Sequence, residues 1–194
     1  MTTFFDKFDL VNYDFSIPTD SNPILETMVN FLQRVKLNIS DKDIDKICDL
    51  YILGDNTKPE QVAAALYNDP YLHWTILYIN NISDVISQWP INENALSAFV
   101  TRKYGSGNEY NTHHYELENT GVWVDPPIYD LQGSLISNFA QDVYGVTPIL
   151  NTNYDYENQL NELKRNIKVI KPEYISAFVD LFSTSLQSQS VLGD

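Results

Sequence analysis

The three histidines are the side chains of this sequence best suited to chemistry near neutral pH. His113 and His114 are adjacent, and Glu116 is the nearest carboxylate in sequence. Because successive residues of a β-strand point to opposite faces, neighbouring histidines on a strand cannot easily bind one metal ion together. His73 lies in an apolar stretch beside Trp74, where a hydrogen-bonded, partly buried imidazole is more common than a general base. The histidines therefore predict structural roles and no metal site.

The acidic residues and the glycines form no recognisable catalytic pattern. The chain has 26 Asp and Glu residues, but none stands in an arrangement typical of a glycoside hydrolase. There is no Gly-x-Ser-x-Gly motif, phosphate-binding loop or dinucleotide-binding fingerprint. Only seven glycines are present, which leaves little material for a loop that cradles phosphate. We predict a protein that is not an enzyme and that needs no cofactor.

The single cysteine, Cys48, cannot form an intramolecular disulfide, which fits folding in a reducing cytosol. Its apolar neighbours Ile47 and Leu50 predict a buried thiol rather than a reactive one. The N-terminal sequence MTTFFDKFDL contains acidic residues and no apolar run of signal-peptide length. We therefore expect no secretory signal, and the absence of long apolar stretches predicts no transmembrane helix.

Composition indicates a globular protein with surfaces suited to protein contacts. Hydrophobic residues make up 43% of the chain and charged residues 20%, and there are 13 tyrosines. Tyrosine offers a large contact area with a polar tip, so an excess favours interfaces. The alternative is a tyrosine-rich core and surface without a partner. The net charge of −14 argues against binding to nucleic acid or to an anionic membrane.

Residues 49–82 have the signals of a compact strand–helix–helix block. Residues 49–53 form a short apolar run that ends at Gly54-Asp55, which is typical of a strand followed by a turn. Thr57 and Glu60 then have the spacing of a capping box, in which each side chain bonds a backbone N–H group at the start of a helix.

A second helix is expected directly after the first. Val62, Ala65 and Leu66 share one face of the first helix. Asn68-Asp69-Pro70 ends it and begins the next, with Asp69 as the N-cap. Nearly every residue from 71 to 79 is apolar, and a helix apolar on most of its circumference must be covered on more than one side. Either the rest of the chain or a partner protein must supply the second cover.

The block resembles a LysM module, the βααβ fold that binds polymers of N-acetylglucosamine. The likeness lies in Tyr-x-Leu-Gly-Asp, Ala-Leu-Tyr and Leu-x-x-Ile-Asn-Asn-Ile. It implies a shallow sugar groove between two loops, whose residues here are Gly54, Asp55, Asn56, Thr57, Asn80 and Asn81. LysM modules usually place an apolar residue after Gly-Asp-Thr, whereas Asn56-Thr57-Lys58-Pro59 intervenes here. The same surface can instead serve as a platform for protein docking.

A wider resemblance is to the LysM-containing baseplate wedge protein of contractile-tailed phages of the T-even type. Four segments carry it in order: Phe4-Phe5-Asp6-Lys7-Phe8, Asp69-Pro70-Tyr71-Leu72-His73-Trp74, Thr112-His113-His114-Tyr115-Glu116, and Asn153-Tyr154-x-Tyr156-Glu157-x-x-Leu160-Asn161-Glu162-x-Lys164-Arg165. It implies a structural virion protein, assembled in the host cytoplasm into the tail baseplate. Such a protein joins neighbouring wedges through contacts with other wedge and hub proteins in a six-fold hetero-oligomer. The alternative function is that of a LysM-type module binding peptidoglycan.

The residues expected to bind partners are aromatic side chains near the N-terminus and on the second helix, together with two basic residues. They are Phe4, Phe5, Phe8, Tyr71, Trp74, Tyr78, Lys164 and Arg165. The two basic residues belong to a cluster with Lys168 and Lys171. Such a cluster is either a docking patch for an acidic neighbour or a solvated face.

The expected fold class is α+β, in three regions. Residues 1–46 form an aromatic N-terminal arm and an amphipathic helix that runs from Asn22-Pro23 to about Leu37. Residues 47–90 form the LysM-like βααβ unit, and residues 91–194 form an α+β C-terminal region.

Further elements are expected along the chain, and residues 125–153 should be mostly irregular with a strand or two. The expected elements are a charged connector over 40–46, a helix over 93–103, a hairpin of 110–117 with 122–124, a helix over 154–165, a strand over 167–170 and a last helix from Lys171-Pro172.

Overall fold

The computed structural model describes residues 4–16, 24–30, 37, 39–118 and 120–190. The chain divides into two compact units. Unit 1 consists of Met1–Gln88 and Asn166–Asp194, and unit 2 is Trp89–Arg165. Unit 2 is therefore inserted into the sequence of unit 1, which cuts across the three-region division expected from the sequence.

The described residues form a mixed α+β structure of short strands and helices. The strands are β1 (Leu10–Asp14), β2 (Leu25–Val29), β3 (Cys48–Ile52), β4 (Thr112–Glu116), β5 (Trp123–Val124), β6 (Ile128–Tyr129), β7 (Leu135–Ser137), β8 (Ile149–Thr152) and β9 (Asn166–Ile170). The helices are α1 (Asp41–Ile47), α2 (Pro59–Tyr67), α3 (His73–Ile79), α4 (Val85–Gln88), α5 (Glu93–Tyr104), α6 (Phe139–Tyr144), α7 (Asn153–Leu163) and α8 (Ile175–Ser190). Short 3-10 helices cover Phe5–Lys7, Pro70–Leu72 and Pro172–Tyr174.

The strand–helix–helix block is closed by a strand from the far end of the chain. β3 pairs antiparallel with β9, with Cys48 opposite Ile170 and Ile52 opposite Asn166. The βααβ unit was expected within residues 47–90, whereas the strand that pairs with β3 comes from residues 166–170. Ile167 is 3% exposed and Ile170 fully buried, so β9 supplies core residues that the local sequence lacks.

The helix boundaries inside the block were partly predictable. Asn68 ends α2 in the left-handed conformation, and the Asp69 side chain accepts a hydrogen bond from the backbone N–H of Tyr71, as expected for an N-cap. The predicted capping box of Thr57 and Glu60 is wrong. The helix begins at Pro59. The side chain that reaches back to the backbone in front of the helix is that of Gln61, whose Oε1 accepts a hydrogen bond from Lys58 N–H at 2.8 Å.

The core of unit 1 lies between α3 and α8. Trp74 on α3 meets Phe178 and Phe182 on α8, with ring centroids 6.3 and 4.7 Å apart. Cys48 is buried in the same cluster as predicted, and burial raises the pKa of its thiol. The chain itself therefore covers much of α3, which sequence reasoning had left open between the chain and a partner.

The N-terminal region differs from the expected helix. Residues 25–29 form β2, which pairs antiparallel with β1, Leu10 lying opposite Val29. Ile24 and Met28 are four residues apart. Side chains at this spacing share one face of a helix and also one face of a strand, so the spacing does not distinguish the two. The expected connector over 40–46 is instead helix α1, capped by the Ser40 hydroxyl. The rest of the expected helix, residues 31–36, lies outside the described residues.

Unit 2 contains the elements that the sequence predicted most clearly. Helix α5 has Asn92 as its N-cap and buries Leu96 and Val100. β4 pairs with β5 as the expected hairpin and with β8 on its other side. The capping box of Thr152 and Asp155 starts α7. Residues 125–153 hold more regular structure than expected, because β6 pairs with β7 and α6 follows them.

A test of the core is the substitution Ile76→Ala. Ile76 is fully buried on α3, so the change should lower the free energy of unfolding of unit 1 by about 2–5 kcal/mol. The matched control is Ile86→Ala on α4, where the side chain is 89% exposed and the loss should stay within about 0.5 kcal/mol. Urea unfolding followed by circular dichroism measures both, and equal losses would show that α3 is misplaced.

Candidate protein-docking site

An aromatic groove lies between the N-terminal segment and α3 in unit 1. Its volume is about 500 Å³. The residues lining the groove are Phe4, Phe5, Tyr71, His73, Trp74, Leu77, Tyr78, Ile82 and Ser83. The fold thus brings together five of the residues that the sequence suggested for partner binding, although two lie at the N-terminus and three on or next to α3. We call this feature the aromatic groove.

The base of the aromatic groove is a cluster of tilted aromatic rings that continues into the core of unit 1. Trp74 is 5% exposed, and its ring centroid lies 5.2 Å from that of Phe4 and 4.7 Å from that of Phe182. Aromatic pairs at these distances stabilise each other beyond their buried area. The indole N–H of Trp74 has no hydrogen-bond acceptor within the described residues.

The rim of the aromatic groove is exposed. Phe5 is 54% exposed and Tyr71 is 41% exposed. Asp69 fixes the backbone of Tyr71 by accepting its N–H at 2.9 Å. His73 Nδ1 lies 2.9 Å from the carbonyl oxygen of Pro70, so its imidazole has the structural partner that the sequence suggested. The rim residues are therefore held in position without being covered.

Phe8 supports the groove from outside its lining. Its ring centroid lies 4.9 Å from that of Phe4 and 6.2 Å from that of Phe5. It is half-buried. Phe8 therefore orients two residues of the groove, and its own role as a partner contact stays a prediction.

The residues suggested for sugar binding include one that the fold already uses. Both N–H groups of the Asn80 amide are engaged, with Ile76 O at 2.8 Å and Lys168 O at 2.7 Å, and its Oδ1 accepts from Lys168 N–H at 2.8 Å. This side chain fastens the end of α3 to β9. Asn56 and Asn81 adopt positive φ angles of 56° and 53°, which suits turn residues.

The remaining members of that set lie in the loop after β3. Gly54 and Asp55 are exposed, and Thr57 is half-buried. The binding of a sugar by these residues stays a prediction.

The basic cluster is largely paired with groups of the chain itself. Arg165 Nε lies 2.7 Å from Glu162, and Lys168 Nζ lies 2.7 Å from Asp45. Lys171 Nζ donates to the carbonyl oxygen of Lys46 at 2.9 Å. These contacts favour a structural role for the cluster, and the partner contacts of Lys164 and Arg165 stay predictions.

The adjacent histidines contact each other, so the expectation that they point to opposite faces is wrong. The pairing of β4 shifts register between Thr112 and His114, and the two Nδ1 atoms lie 2.8 Å apart. His113 stacks on Tyr156 with centroids 4.0 Å apart, and His114 on Trp123 at 4.2 Å. No group of three or more His, Cys, Asp or Glu residues that could hold a metal ion occurs in the part of the chain that the structure describes.

Charged groups surround this histidine pair. Burial and the neighbouring His114 lower the pKa of His113. His114 Nε2 lies 3.5 Å from Glu116 Oε2. On α7, the buried Glu157 accepts hydrogen bonds from Lys103 Nζ at 2.6 Å and Tyr104 Oη at 2.7 Å. Glu157, Lys103 and Tyr104 thus form one structural hydrogen-bond network.

Sequence reasoning missed the exposed apolar hairpin of β1 and β2. Leu10 is 66% exposed, Leu25 60% and Tyr13 53%. The alternation in Leu-Val-Asn-Tyr-Asp was the available signal for β1. Two-stranded hairpins are only marginally stable by themselves in water, so this one is suited to be covered by another protein.

An exposed aromatic groove and an exposed apolar hairpin are features of a structural component of a protein assembly. The sequence matches the family described as "Base plate wedge protein 53" over residues 1–184. It is 24% identical over 191 residues to "Baseplate wedge protein gp53" of Enterobacteria phage T4, a match that covers 92% of this chain and 91% of that protein.

The chain belongs to the base plate wedge protein 53 family. It is a structural protein of the phage virion, located in the wedge of the tail baseplate. Among the described residues, no helix is both long and apolar enough to span a membrane.

The stability of unit 2 should depend on pH through His113. Because the pKa of His113 is lower in the folded chain, the unfolded chain binds its proton more readily. The contribution is complete above about pH 6.5, the usual histidine value, and is lost as pH falls through and below it. We expect His113→Phe, which keeps an aromatic ring on Tyr156, to reduce the loss of stability between about pH 7 and 5.

Thermal unfolding in buffers across that range measures the effect. The control is the comparison of wild type at about pH 7 and 8, where this contribution predicts no change. An undiminished slope in the variant would contradict the assignment.

Proposed function

We propose that this protein joins neighbouring wedges of the baseplate by binding other wedge and hub proteins through the aromatic groove. The observation that carries the proposal is that the exposed side chains of Phe5 and Tyr71 line the same groove as the buried Trp74. The six-fold hetero-oligomer implied by the family resemblance is part of this proposal.

The chemistry of the groove fits a protein partner. Interface energy is concentrated in a few aromatic anchors that sit in pockets and exclude water. Trp74 and Phe4 in the groove are held against Phe182 of α8, so these two rings lose little conformational freedom on binding. An apolar side chain of a partner would fill the groove.

We further propose that β3, α2, α3 and β9 correspond to a LysM-like βααβ unit with unit 2 inserted before its last strand. The order of elements and the antiparallel pairing of β3 with β9 support this. The unit is proposed to act as a protein platform rather than a sugar site, because the Asn80 amide already joins α3 to β9.

The proposal is tested with the double variant Phe5→Ser and Tyr71→Ser. Both side chains are exposed, so the melting temperature of the isolated chain should change little. Its affinity for purified wedges that lack this protein should fall about tenfold or more, since two aromatic anchors are lost. Analytical ultracentrifugation and electron microscopy then report whether wedges join when the variant replaces wild type.

The matched control is Tyr110→Ser in unit 2, where the side chain is 75% exposed and lies outside the groove. It should leave affinity and joining unchanged. Wild-type joining by the double variant would refute the role of the aromatic groove.

A further inference from the structure

Another apolar surface is found in unit 2, within the stretch 125–153 that was expected to be mostly irregular. It consists of the β6–β7 hairpin and helix α6, and we call it the apolar arm. Large hydrophobic side chains are exposed throughout it, among them Tyr129 at 58%, Leu131 at 101%, Ile136 at 65% and Val143 at 56%. A concentration of exposed large apolar side chains within one short segment of a folded protein indicates a site of interaction.

The hairpin of the apolar arm has a well-formed turn but little support beyond it. Asp130 Oδ1 accepts backbone N–H groups of Gln132 at 2.9 Å and Ser134 at 2.7 Å, which holds Leu131 at the tip. In the described residues, β6 and β7 pair only with each other. A two-stranded hairpin is marginally stable in water. The turn therefore presents Leu131 as an exposed apolar tip.

The charges around the apolar arm indicate which kind of protein covers it. From residue 104 to residue 163 the sequence has no Lys or Arg, but nine Asp and Glu residues. Asp125 and Asp142, beside and within the arm, are both exposed. A second copy of this chain would bring like charges together, and so would a nucleic acid.

We propose that the apolar arm is a second docking surface, and that its occupant is a different protein with an apolar patch bordered by Lys and Arg residues. The surface goes beyond the aromatic groove, since it lies in the other unit and uses other residues. It rests on the proposed wedge-joining role in one respect, because the occupant is then a wedge or hub protein.

The apolar contact is tested with the double variant Leu131→Ser and Ile136→Ser in the full chain. Both side chains are exposed, so the isolated variant should melt as wild type does. The binding partners are wedge proteins of the same phage that are expressed together and then purified. The affinity of the variant for them should fall about tenfold or more. The matched control is Ile86→Ser on α4, where the side chain is 89% exposed and lies in unit 1. Biolayer interferometry gives the affinities.

The charge contact is tested with Asp125→Lys and Asp142→Lys together. This variant should bind more weakly than wild type at low salt, and the difference should shrink between about 50 and 300 mM NaCl. The control is Glu173→Lys with Asp180→Lys, which changes the net charge equally but in unit 1, and which should bind like wild type. Asp130 is left in place because it holds the turn.

Three results would overturn the proposal. The first is unchanged affinity of the double serine variant. The second is an equal effect of both charge variants, which would reflect net charge alone. The third is a wild-type homodimer in ultracentrifugation that the serine variant disrupts, since the occupant would then be a second copy. Because the aromatic groove is tested by Phe5→Ser and Tyr71→Ser, either surface can fail while the other stands.

Discussion

The pairing of β3 with β9 is the interaction on which unit 1 depends. It joins strands separated by the whole of unit 2, and further bonds reinforce it. Tyr67 Oη donates to the carbonyl oxygen of Ile170 at 2.8 Å, and burial raises the pKa of this tyrosine to about 12. Asn80 ties the end of α3 to Lys168. Once β9 is in place, α8 follows it directly and covers the aromatic face of α3, which fixes the base of the aromatic groove.

Local signals in the sequence predicted elements well where the capping chemistry was decisive. Asp69 with Pro70 and Lys171 with Pro172 both mark helix starts that the structure contains. The mixed α+β class follows from the same signals. The capping box predicted from Thr57 and Glu60 shows how far such signals go. Gln61 lies one residue after Glu60 and can bond the helix start equally well, so the sequence does not decide between them.

Long-range pairing could not be read from one sequence. Residues 25–29 carry an apolar pattern compatible with a helix, and only the presence of β1 as a partner makes them a strand. The contact between His113 and His114 depends on a bulge that no local signal announces. Five of the aromatic residues suggested for the candidate site do come together in the aromatic groove. The apolar arm was missed, because its strands of two and three residues are too short to show a period.

The exposed apolar surfaces suit this chain to a role as a component of a protein assembly. The apolar helix α3 is largely covered by α8. The exposed apolar surface lies elsewhere, at the groove rim and the β1–β2 hairpin in unit 1 and along the apolar arm in unit 2. If both proposed surfaces bind, one chain holds two partner surfaces at once, and the second contact forms within an existing complex at a high effective concentration. Each contact can then be weak by itself while the joined assembly is stable. Such an arrangement favours ordered assembly. A chain bound through one unit dissociates readily, and it becomes firmly bound once the second partner has joined.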